Sequence, residues 1–472
     1  MSVSRGLFII LALTVFRVAC LFFDRTNLFV DEAQYWLWSQ HLDFGYYSKP
    51  PMIAWVLWLS TSLSGSNDIF WLRLPGPILH AATAILLMRA SQSFVSSRNQ
   101  GWVGVTYITL PGVAFSSVFF STDVVLLFFV ALALFAYLRL TLRPSLGGAV
   151  GFGAAVGLAF LSKYALLFLL PGGATAPYLI PRARIAIRDF LVAVVTAALT
   201  VSPNLIWNAL HSNATIRHTQ NIAHWGDFKI RVADGLTFFA AQFAVVGPLV
   251  FVALLWALVR LMRNKSQEDE KLLLLLSVPV VFLITLQALL GGAYANWAVT
   301  AYVAGTILAV IVFERLWPQG LRISFGINGA ICLVFPFLTI FPQSLTLPNG
   351  RQIMQRYLGR AEISHHVAYL ARQTGLNVIV TDSRDLNADF FYTLRSEPFR
   401  FYAPRPKAFP ENYYEQEFPL PASVANEVLF VTTRPFACQA DKASLVETWS
   451  PANGAYRGKA IYAYRASPSC LE

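Results

Sequence analysis

The sequence predicts a polytopic α-helical membrane protein that carries a small α/β domain at its C-terminal end. Of the 472 residues, 56% are hydrophobic and 13% are charged, whereas soluble domains are about a quarter charged. Apolar segments long enough to cross a bilayer recur along residues 1–342, while residues 343–472 have the composition of a soluble domain. Together these observations favour a membrane domain followed by a domain outside the membrane.

The net charge of +11 comes largely from basic residues in short loops between apolar segments. Such loops are typical topology signals of membrane proteins, so the charge does not indicate nucleic-acid binding. The first apolar segment, 6–23, lacks a small-residue cleavage site. It therefore predicts a retained helix and not a cleaved signal peptide.

A helix that crosses a bilayer needs about 20 mostly apolar residues. The boundary at "LSKYALL", between segments 147–161 and 164–180, is the least well defined because segment 147–161 is short. About eleven segments meet the requirement: 6–23, 69–90, 101–119, 122–140, 147–161, 164–180, 187–206, 236–259, 272–290, 296–313 and 323–341.

Basic residues lie on alternate loops between these segments, which the positive-inside rule places in the cytoplasm. The N-terminus is then cytoplasmic. The opposite side receives the first outer loop, 24–68, with its juxtamembrane helices, and the domain 343–472. The basic residues concerned are Arg5, Arg89, Arg98, Arg139, Arg143, Arg182, Arg184, Arg188, Arg260, Arg263, Lys265, Lys271, Arg315 and Arg322.

The C-terminal domain shows a different pattern from the membrane region. "NVIVTD", "EVLFVTT" and "KAIYAYRA" predict three short strands, and "RDLNADFFYTL" predicts a helix. A proline-rich stretch, 401–421, predicts a long loop between them. Cys438 and Cys470 could form a disulfide if this domain faces an oxidising compartment. Cys20 and Cys332 lie in apolar segments and are expected in the core.

The first outer loop contains "FVDEAQYWLWSQHLDFGYYSKPPM", in which two carboxylates and a lysine lie among aromatic rings. Ionisable residues at the edge of a membrane are candidates for function. Asp31 and Glu32 would diverge by about 100° on a helix, so one faces a site and the other a supporting partner. The alternative is that both stabilise a helix N-terminus, where acidic residues are favoured.

Lys49 ends the same loop, directly before Pro50 and Pro51. The two prolines stiffen the backbone and restrict Lys49 to an extended conformation. A lysine fixed beside Tyr46 and Tyr47 at a membrane surface suits a phosphate group. An ordinary interfacial lysine with aromatic neighbours is the alternative.

Further polar residues lie at the same predicted side of the membrane. Asp123 opens the fourth predicted span, where a functional carboxylate and helix capping are both possible. Lys163, in an outer turn, is either functional or an interfacial anchor. The full set adds His218 and His224 in the fourth outer loop and Asn296 and Trp297 at the start of the tenth span.

The two histidines do not indicate a metal site. His218 and His224 are six positions apart, which is not a helical metal-binding spacing, and no neighbouring Cys or Glu completes a ligand set. No metal is therefore predicted from this loop.

Taken together, these motifs resemble the GT-C membrane glycosyltransferases. An acidic pair after the first span, followed by an aromatic loop ending in "KPP", is similar to the aminoarabinose transferase (ArnT) and protein O-mannosyltransferase-like group. "NDIFWLRLPGPILHAATAILLMRA", "FFSTDVVLLFF", "GLAFLSKYALLFLLPG" and "PNLIWNALHSNATIRHTQN" resemble further motifs of that group. "ANWAVTAYVAGT" is especially like the bacterial galacturonosyltransferases that decorate lipopolysaccharide. The resemblance covers roughly residues 1–340.

The resemblance implies transfer of a sugar from a polyprenyl-phosphate donor to an extracytoplasmic lipid, glycan or protein acceptor, generally with inversion. It places the chain in a bacterial inner membrane with a periplasmic C-terminal domain, and lipid A or a lipopolysaccharide core glycan becomes the expected acceptor. Asp31 would be the catalytic carboxylate, supported by Glu32, and Asp123 would orient the sugar or the acceptor or help to bind a metal. Lys49 would bind the donor phosphate. The remaining implied contacts are Arg73 and Lys163 to phosphate, and Tyr46, Tyr47, His218, His224, Asn296 and Trp297 to donor or acceptor.

One position departs from the resemblance. In the aminoarabinose transferases an acidic residue that helps to hold a metal precedes the "KP" lysine, and here that position is Ser48. A divalent metal is therefore not claimed.

Other protein classes fit the sequence less well. A transporter or flippase of lipid-linked sugars should carry polar residues near the middle of its spans, whereas the charges here cluster at one face. A polymerase or ligase is expected to carry one large outer loop between late spans. A protein O-glycosyltransferase remains an alternative for the acceptor.

Overall fold

Helices form most of the chain up to residue 340, and a small sheet lies in the remainder. The computed structural model describes residues 1–223, 229–438 and 442–471. The α-helices of these residues are α1 (Val3–Phe22), α2 (Val30–Gln40), α3 (Met52–Ser64), α4 (Ile69–Arg73), α5 (Pro75–Ala90), α6 (Gln100–Ile108), α7 (Pro111–Ser116), α8 (Thr122–Leu142), α9 (Leu146–Ser162), α10 (Leu170–Leu179), α11 (Ile187–Leu210), α12 (Ala214–Ile222), α13 (Val232–Val246), α14 (Pro248–Met262), α15 (Glu268–Leu275), α16 (Val278–Gly291), α17 (Ala301–Leu316), α18 (Pro318–Ile340), α19 (Arg360–Thr374), α20 (Arg384–Thr393) and α21 (Tyr413–Glu417).

Several of these helices are long and apolar enough to cross a membrane. Within the described residues there are 6 of them, or up to 7 if the bent pair α13 and α14 forms one span. The chain is therefore a multi-pass membrane protein, while the predicted count of eleven spans stays a prediction. The helices are Val3–Phe22, Ile69–Ser93, Thr122–Leu142, Ile187–Leu210, Glu268–Gly291 and Pro318–Ile340.

The remaining predicted segments form shorter or broken helices. Segment 101–119 is divided into α6 and α7 before Pro111, because a proline ring disfavours helical geometry in the preceding residue. Segment 236–259 is divided into α13 and α14, which are bent by 117°. Hydropathy detects these segments but not the breaks within them.

The bend between α13 and α14 depends on Gly247. Its φ is +86°, a conformation that side chains other than glycine rarely adopt. A Cβ at this position would lie 2.1 Å from Oδ1 of Asn328, on α18. Pro248 then begins α14, where a missing N–H costs no helical hydrogen bond.

One buried charge within a span was not expected from the sequence. Arg17, in α1, is 1% exposed, so the expectation that charges gather at one face of the membrane has an exception. It donates to the Ile108 carbonyl (2.7 Å), to Ser117 Oγ (3.0 Å) and to Cys332 Sγ (2.8 Å). Because the end of a helix leaves carbonyls without intrahelical partners, Arg17 stabilises the break after α6.

The first outer loop forms α2 and α3, joined by an aromatic segment that α11 holds in place. Trp207 Nε1 donates to Asp43 Oδ2 at 2.6 Å, and Asn204 Nδ2 donates to the Phe44 carbonyl at 2.6 Å. Trp38 and Tyr46 stack with ring centroids 4.6 Å apart. The loop is therefore a packed part of the fold.

The C-terminal domain contains a sheet of strand order β2-β1-β3-β5-β4. β1 is parallel to β2 and to the central strand β3, and β5 is antiparallel to β3 and β4. A disulfide joins Cys438 and Cys470, the pair that the sequence singled out. The strands are β1 (Val378–Thr381), β2 (Arg400–Tyr402), β3 (Val428–Thr432), β4 (Ala443–Trp449) and β5 (Ile461–Ala466).

Three strands and the helix α20 in this domain were predicted from the sequence, but β2, β4 and α19 were not. β2 has three residues and lies in the stretch interpreted as a loop. β4 is an edge strand that is largely exposed or half-buried, so it has no buried apolar run.

The C-terminal domain packs directly on the first outer loop. Tyr392 of α20 contacts Trp36 of α2 with ring centroids 5.1 Å apart, and Tyr413 contacts Trp38 at 5.7 Å. These residues belong to one apolar cluster shared by both parts of the chain. The packing places the first residue of α20 beside α2.

Candidate active site

A cavity of about 1070 Å³ lies between the membrane helices, the first outer loop and the C-terminal domain. One part is lined by side chains of α7, α13 and α18 that are mostly apolar, among them Val113, Phe115, Val245 and Phe335. The other part is polar. Its charged or hydrogen-bonding residues are Asp31, Glu32, Gln34, Ser48, Lys49, Ser121, Thr122, Asp123, Lys163, His218, Asn296, Arg356, Arg384, Glu411 and Asn412.

Asp31 and Glu32 diverge at the start of α2, as their adjacency predicts. Glu32 is 7% exposed and accepts the Phe29 N–H at 3.0 Å and the Phe120 N–H at 3.1 Å. The bond from Phe29 stabilises the N-terminus of α2, so capping accounts for part of the role of Glu32. Asp31 lines the cavity, and its side chain is 44% exposed.

Arg73 is not available to a phosphate, which corrects the expectation from the sequence. Its guanidinium is fully buried and donates to both oxygens of Glu32, to Asp24, to Thr26 and to the Asn27 carbonyl, at 2.6–2.9 Å. These contacts use all five N–H donors of an arginine. Arg73 therefore holds Glu32 and the start of the first outer loop in place.

The Asp31 carboxylate pairs with an arginine of the C-terminal domain. Arg384 Nη2 lies 2.5 Å from Asp31 Oδ1, and Arg384 Nε donates to Gln34 Oε1 at 3.0 Å. Burial opposes ionisation of Asp31, but the Arg384 guanidinium holds the pKa of this carboxyl below its usual value. Asp31 is therefore ionised at neutral pH.

Lys49 lies in the same cavity but is not paired. Its carbonyl accepts the Tyr46 N–H at 3.1 Å, which closes a turn before the two prolines. Its ammonium has no hydrogen-bond or ion-pair partner in the part of the chain that the structure describes. Burial and the nearby Lys163 ammonium lower the pKa of Lys49 to about 8. An unpaired, partly buried cation of this kind is suited to an anionic ligand.

Asp123 is held from two sides at the start of α8. Lys163 Nζ lies 2.6 Å from its Oδ1, and Asn296 Nδ2 lies 2.5 Å from its Oδ2. Asp123 is 6% exposed. These contacts join three motifs that are distant in the sequence, and they go beyond the capping alternative.

The aromatic and imidazole candidates divide into two groups. Tyr46 is buried, and its hydroxyl contacts the Trp38 and His41 carbonyls at 3.0 Å. Tyr46 does not line the cavity. This position corrects the expectation that Tyr46 binds a ligand. Tyr47, His218 and Trp297 do line it. His224 lies outside the described residues.

The Tyr47 and His218 rings contact each other with centroids 5.1 Å apart. The Tyr47 hydroxyl donates to the Pro410 carbonyl of the C-terminal domain at 2.9 Å. Burial and the Lys49 ammonium lower the pKa of His218 to about 4, so its imidazole is neutral at pH 7.

The residues near Lys49 do not provide a metal site. Ser48 is buried and receives a hydrogen bond from Gln34 Nε2 at 3.4 Å. Within residues 1–223, 229–438 and 442–471, no group of three or more His, Cys, Asp or Glu residues could hold a metal ion. The donor set here therefore does not fit the metal implied by the resemblance.

The sequence did not single out Arg384, Gln34 or Arg356. Arg384 opens a helix that was predicted, but nothing in the sequence indicates that it meets a carboxylate 353 positions away. Arg356 lies over the Phe29 ring at 4.8 Å and lines the cavity. Only the folded chain brings these groups together.

Comparison with known proteins gives matches over the whole chain. A family model described as dolichyl-phosphate-mannose-protein mannosyltransferase matches residues 48–207. The chain is 58% identical over 471 residues to lipid A galacturonosyltransferase RgtD of Rhizobium johnstonii, with 100% of both chains covered. It is 27% identical over 239 residues to lipopolysaccharide core galacturonosyltransferase RgtA of the same organism, covering 48% of this chain and 47% of that protein.

Among solved structures, ArnT from Cupriavidus metallidurans in the apo state matches with a TM-score of 0.67 at 13% identity, covering 99% of both chains. ArnT bound to undecaprenyl phosphate matches with a TM-score of 0.66 at 14% identity, covering 97% of both chains. At these identities the likeness shows the fold alone. It confirms the predicted GT-C architecture with a small C-terminal sheet region.

Proposed function

Because the chain belongs to the family of bacterial membrane galacturonosyltransferases that includes lipid A galacturonosyltransferase RgtD, we propose that it transfers a galacturonosyl group to lipid A. The chain is a multi-pass membrane glycosyltransferase of the GT-C class. The donor in this proposal is galacturonic acid linked to a polyprenyl phosphate. One observation carries the mechanism: the Asp31 carboxylate and the unpaired Lys49 ammonium face one cavity that also has an apolar part.

The reaction exchanges one bond at the anomeric carbon of the donor sugar. A hydroxyl oxygen of lipid A forms a bond to C1, and the bond between C1 and the phosphate oxygen breaks. The polyprenyl phosphate leaves with the electron pair, and the hydroxyl proton passes to a carboxylate. Attack opposite to the leaving group inverts the configuration at C1.

In this proposal Asp31 takes the hydroxyl proton and steadies the positive charge that develops on the sugar. It is ionised and faces the cavity, as a general base requires. Lys49 binds the donor phosphate and stabilises the charge that this group gains as it leaves. Because the Lys49 ammonium forms no ion pair with a carboxylate of the described residues, its charge is available to the donor phosphate.

Asp123, Lys163 and Asn296 form a second polar group in the cavity. Because both Asp123 oxygens have protein partners, it is better placed to orient sugar or acceptor hydroxyls than to act as a base. Lys163 remains a candidate partner of the phosphate, but a phosphate would have to compete with Asp123 for it. Glu32 supports the site through its bonds to Arg73 and to the backbone.

The apolar part of the cavity suits the lipid chain of the donor. Its walls belong to helices of the membrane region, so a polyprenyl chain could reach it from the bilayer. We place the polar part at the periplasmic face of the inner membrane, with the N-terminus in the cytoplasm and the C-terminal domain in the periplasm. The loop charges support this orientation.

The transporter alternative has less support. Arg17 is a buried charge within a span, but it contacts Ile108, Ser117 and Cys332 and does not line the cavity. It therefore marks a helix break and not a path for a ligand.

The test is a transfer assay with the purified full chain, polyprenyl-phosphate galacturonic acid and lipid A. Mass spectrometry should show lipid A heavier by one hexuronosyl residue. Asp31→Asn should lower kcat about a hundredfold or more, because general bases contribute at least that much. Lys49→Ala should have an effect of similar size, because it removes stabilisation of the leaving phosphate.

Matched controls change exposed residues of the same type. Glu362→Gln neutralises an exposed carboxylate on α19, and Lys271→Ala removes an exposed ammonium at the start of α15. Both should leave the rate unchanged. Full activity of Asp31→Asn and Lys49→Ala would refute the assigned roles, and a wild-type chain that transfers no uronic acid would refute the reaction.

A further inference from the structure

Arg384 reaches the cavity from the C-terminal part of the chain, whereas Asp31, Lys49, Asp123 and Lys163 come from the membrane region and its outer loops. It is the first residue of α20, and the packing of α20 on α2 fixes its place beside Asp31. Its side chain is 38% exposed, and it lines the cavity. The guanidinium is therefore accessible to a bound ligand.

Three of the five N–H groups of Arg384 have no partner. Nε donates to Gln34, and one N–H of Nη2 donates to Asp31. The second N–H of Nη2 and both N–H groups of Nη1 have no hydrogen-bond partner among the residues that the structure describes. The edge formed by Nη1 and Nη2 can hold a carboxylate through two parallel hydrogen bonds.

The charges of the cavity leave room for two anionic groups. Lys163 is paired with Asp123, and Arg384 uses one N–H group for Asp31 and one for Gln34. Lys49 has no ion-pair partner among the residues that the structure describes. A uronic acid on a polyprenyl phosphate carries two anionic groups, the phosphodiester and the C6 carboxylate. If Lys49 takes the phosphate, the carboxylate requires a cation beside the sugar ring, and that ring must lie near Asp31.

We propose that the free Nη1–Nη2 edge of Arg384 binds the carboxylate of the transferred uronic acid and makes Arg384 the residue that selects this sugar. The inference rests on the proposed function and adds a recognition group to the same site. The carboxylate and Asp31 then bind adjacent edges of one planar guanidinium, which fixes the sugar relative to the carboxylate that acts on it. A neutral hexose would leave these donors without a partner in a partly desolvated site.

The experiment compares two donors on the same polyprenyl phosphate, one carrying galacturonic acid and one carrying galactose. The wild-type chain should transfer the uronic acid with the higher kcat/KM. Arg384→Gln should reduce the ratio of the two kcat/KM values by about ten- to a hundredfold, the usual worth of hydrogen bonds to a charged group. If Arg384→Gln acts only by changing Asp31, the kcat/KM values for both donors fall by the same factor and their ratio is unchanged.

Two further variants keep the experiment decisive. Arg384→Lys retains a charge but not the planar fork, so it should reduce the ratio by less than Arg384→Gln does. Arg372→Gln removes an exposed guanidinium of the same domain, which pairs with Glu397 at 2.6 Å, and it should leave the ratio unchanged.

The proposal is overturned by a wild-type chain that shows no preference between the donors, or by Arg384 variants that keep the wild-type ratio. It is also overturned if Arg356→Gln, and not Arg384→Gln, removes the preference, since the Arg356 guanidinium also lines the cavity and has no ion-pair partner among the residues that the structure describes. A wild-type chain that transfers neither sugar contradicts the proposed function itself. Transfer of galacturonic acid with an unchanged ratio contradicts only the role of Arg384.

Discussion

Lys49 and Arg384 carry the same formal charge in one cavity but in different electrostatic settings. Arg384 is paired with Asp31 and keeps that carboxyl ionised. Lys49 has no hydrogen-bond or ion-pair partner for its ammonium within residues 1–223, 229–438 and 442–471. Burial and the Lys163 ammonium lower its pKa to about 8. Arg384 therefore keeps the Asp31 carboxylate ionised, whereas the Lys49 ammonium is available to an anionic ligand.

The lowered pKa of Lys49 predicts a loss of activity at mildly alkaline pH. If the protonated ammonium binds the donor phosphate, kcat/KM should fall as pH rises through about 8, because this parameter reports the free enzyme. Lys49→Arg keeps its charge at these pH values. We expect its kcat/KM to show no decline there, as measured from the rate of transfer between pH 6 and 10.

The Lys271→Ala variant is the control for this dependence of kcat/KM on pH. Because Lys271 is exposed, its removal should leave the decline at alkaline pH unchanged. A limb near pH 8 that persists unchanged in Lys49→Arg would assign the titration to another group. In that case Lys49 would not be the phosphate ligand.

The Asp31–Arg384 pair predicts a change at the acidic end of the profile. In the wild-type chain the Asp31 pKa is below its usual value, so activity that depends on the ionised form should persist at acidic pH, and be lost only as the pH falls through this lowered pKa. In the Arg384→Gln variant no guanidinium offsets the effect of burial, so the pKa of Asp31 rises. The acidic limb of kcat/KM should then move to higher pH.

This shift separates an electrostatic role of Arg384 from a structural one. A variant that is merely destabilised loses activity by the same factor at every pH. An acidic limb that does not move in Arg384→Gln would show that Arg384 does not control Asp31.

Several candidate site residues that line the cavity could be predicted from the sequence because each lies in a motif with unusual composition. Asp31, Lys49 and Asp123 are ionisable groups beside long apolar segments, and such groups are uncommon there. Arg73 and Tyr46 belong to the same motifs but act inside the fold, because hydrogen-bond partners from distant positions saturate them. A motif identifies the neighbourhood of a site and not which side chain faces the ligand.

At the level of elements, the long helices were easier to predict than their interruptions. Apolar composition over about 20 residues is enough to predict a span, and α1, α8 and α18 agree with it. The breaks at Pro111 and Gly247 depend on partners from other helices, namely Arg17 and Asn328. Single-sequence patterns do not contain such partners.

The break at Gly247 predicts a strong effect of a small substitution. Gly247→Ala would place a methyl group at an unfavourable φ and 2.1 Å from Asn328 Oδ1. We expect a loss of stability on the order of 1–3 kcal/mol, seen as a lower thermal unfolding midpoint in detergent.

Gly151→Ala is the matched control in α9, because a Cβ there meets nothing within 4 Å. It should be neutral or slightly stabilising, as alanine is favoured over glycine in a helix. Equal midpoints for the two variants would contradict the account of the bend.

For the molecule as a whole, the orientation of the C-terminal domain can be tested through its cysteines. The disulfide between Cys438 and Cys470 is expected to form in the periplasm and not in the cytoplasm. Cys20 and Cys332 are free. Alkylation of the denatured chain with a mass-shifting maleimide should label two cysteines before reduction and all 4 after it.

Cys438→Ser should leave three cysteines reactive without reduction, because Cys470 loses its partner. If all 4 cysteines of the wild-type chain react before reduction, the C-terminal domain does not experience an oxidising compartment. The proposed orientation would then be wrong.

The pairing of Asp31 with Arg384 also bears on the order in which the enzyme is made. The two residues are 353 positions apart, so a ribosome has finished the whole membrane region before it adds the arginine. Domains generally fold in the order of their synthesis, and in a nascent chain inserted in the bilayer the membrane part of the cavity would form before Arg384, the proposed sugar ligand, is added. A chain that ends before Arg384 would thus have Asp31 and Lys49 but not the guanidinium that pairs with Asp31, and we expect its transfer to be less selective than that of the completed enzyme.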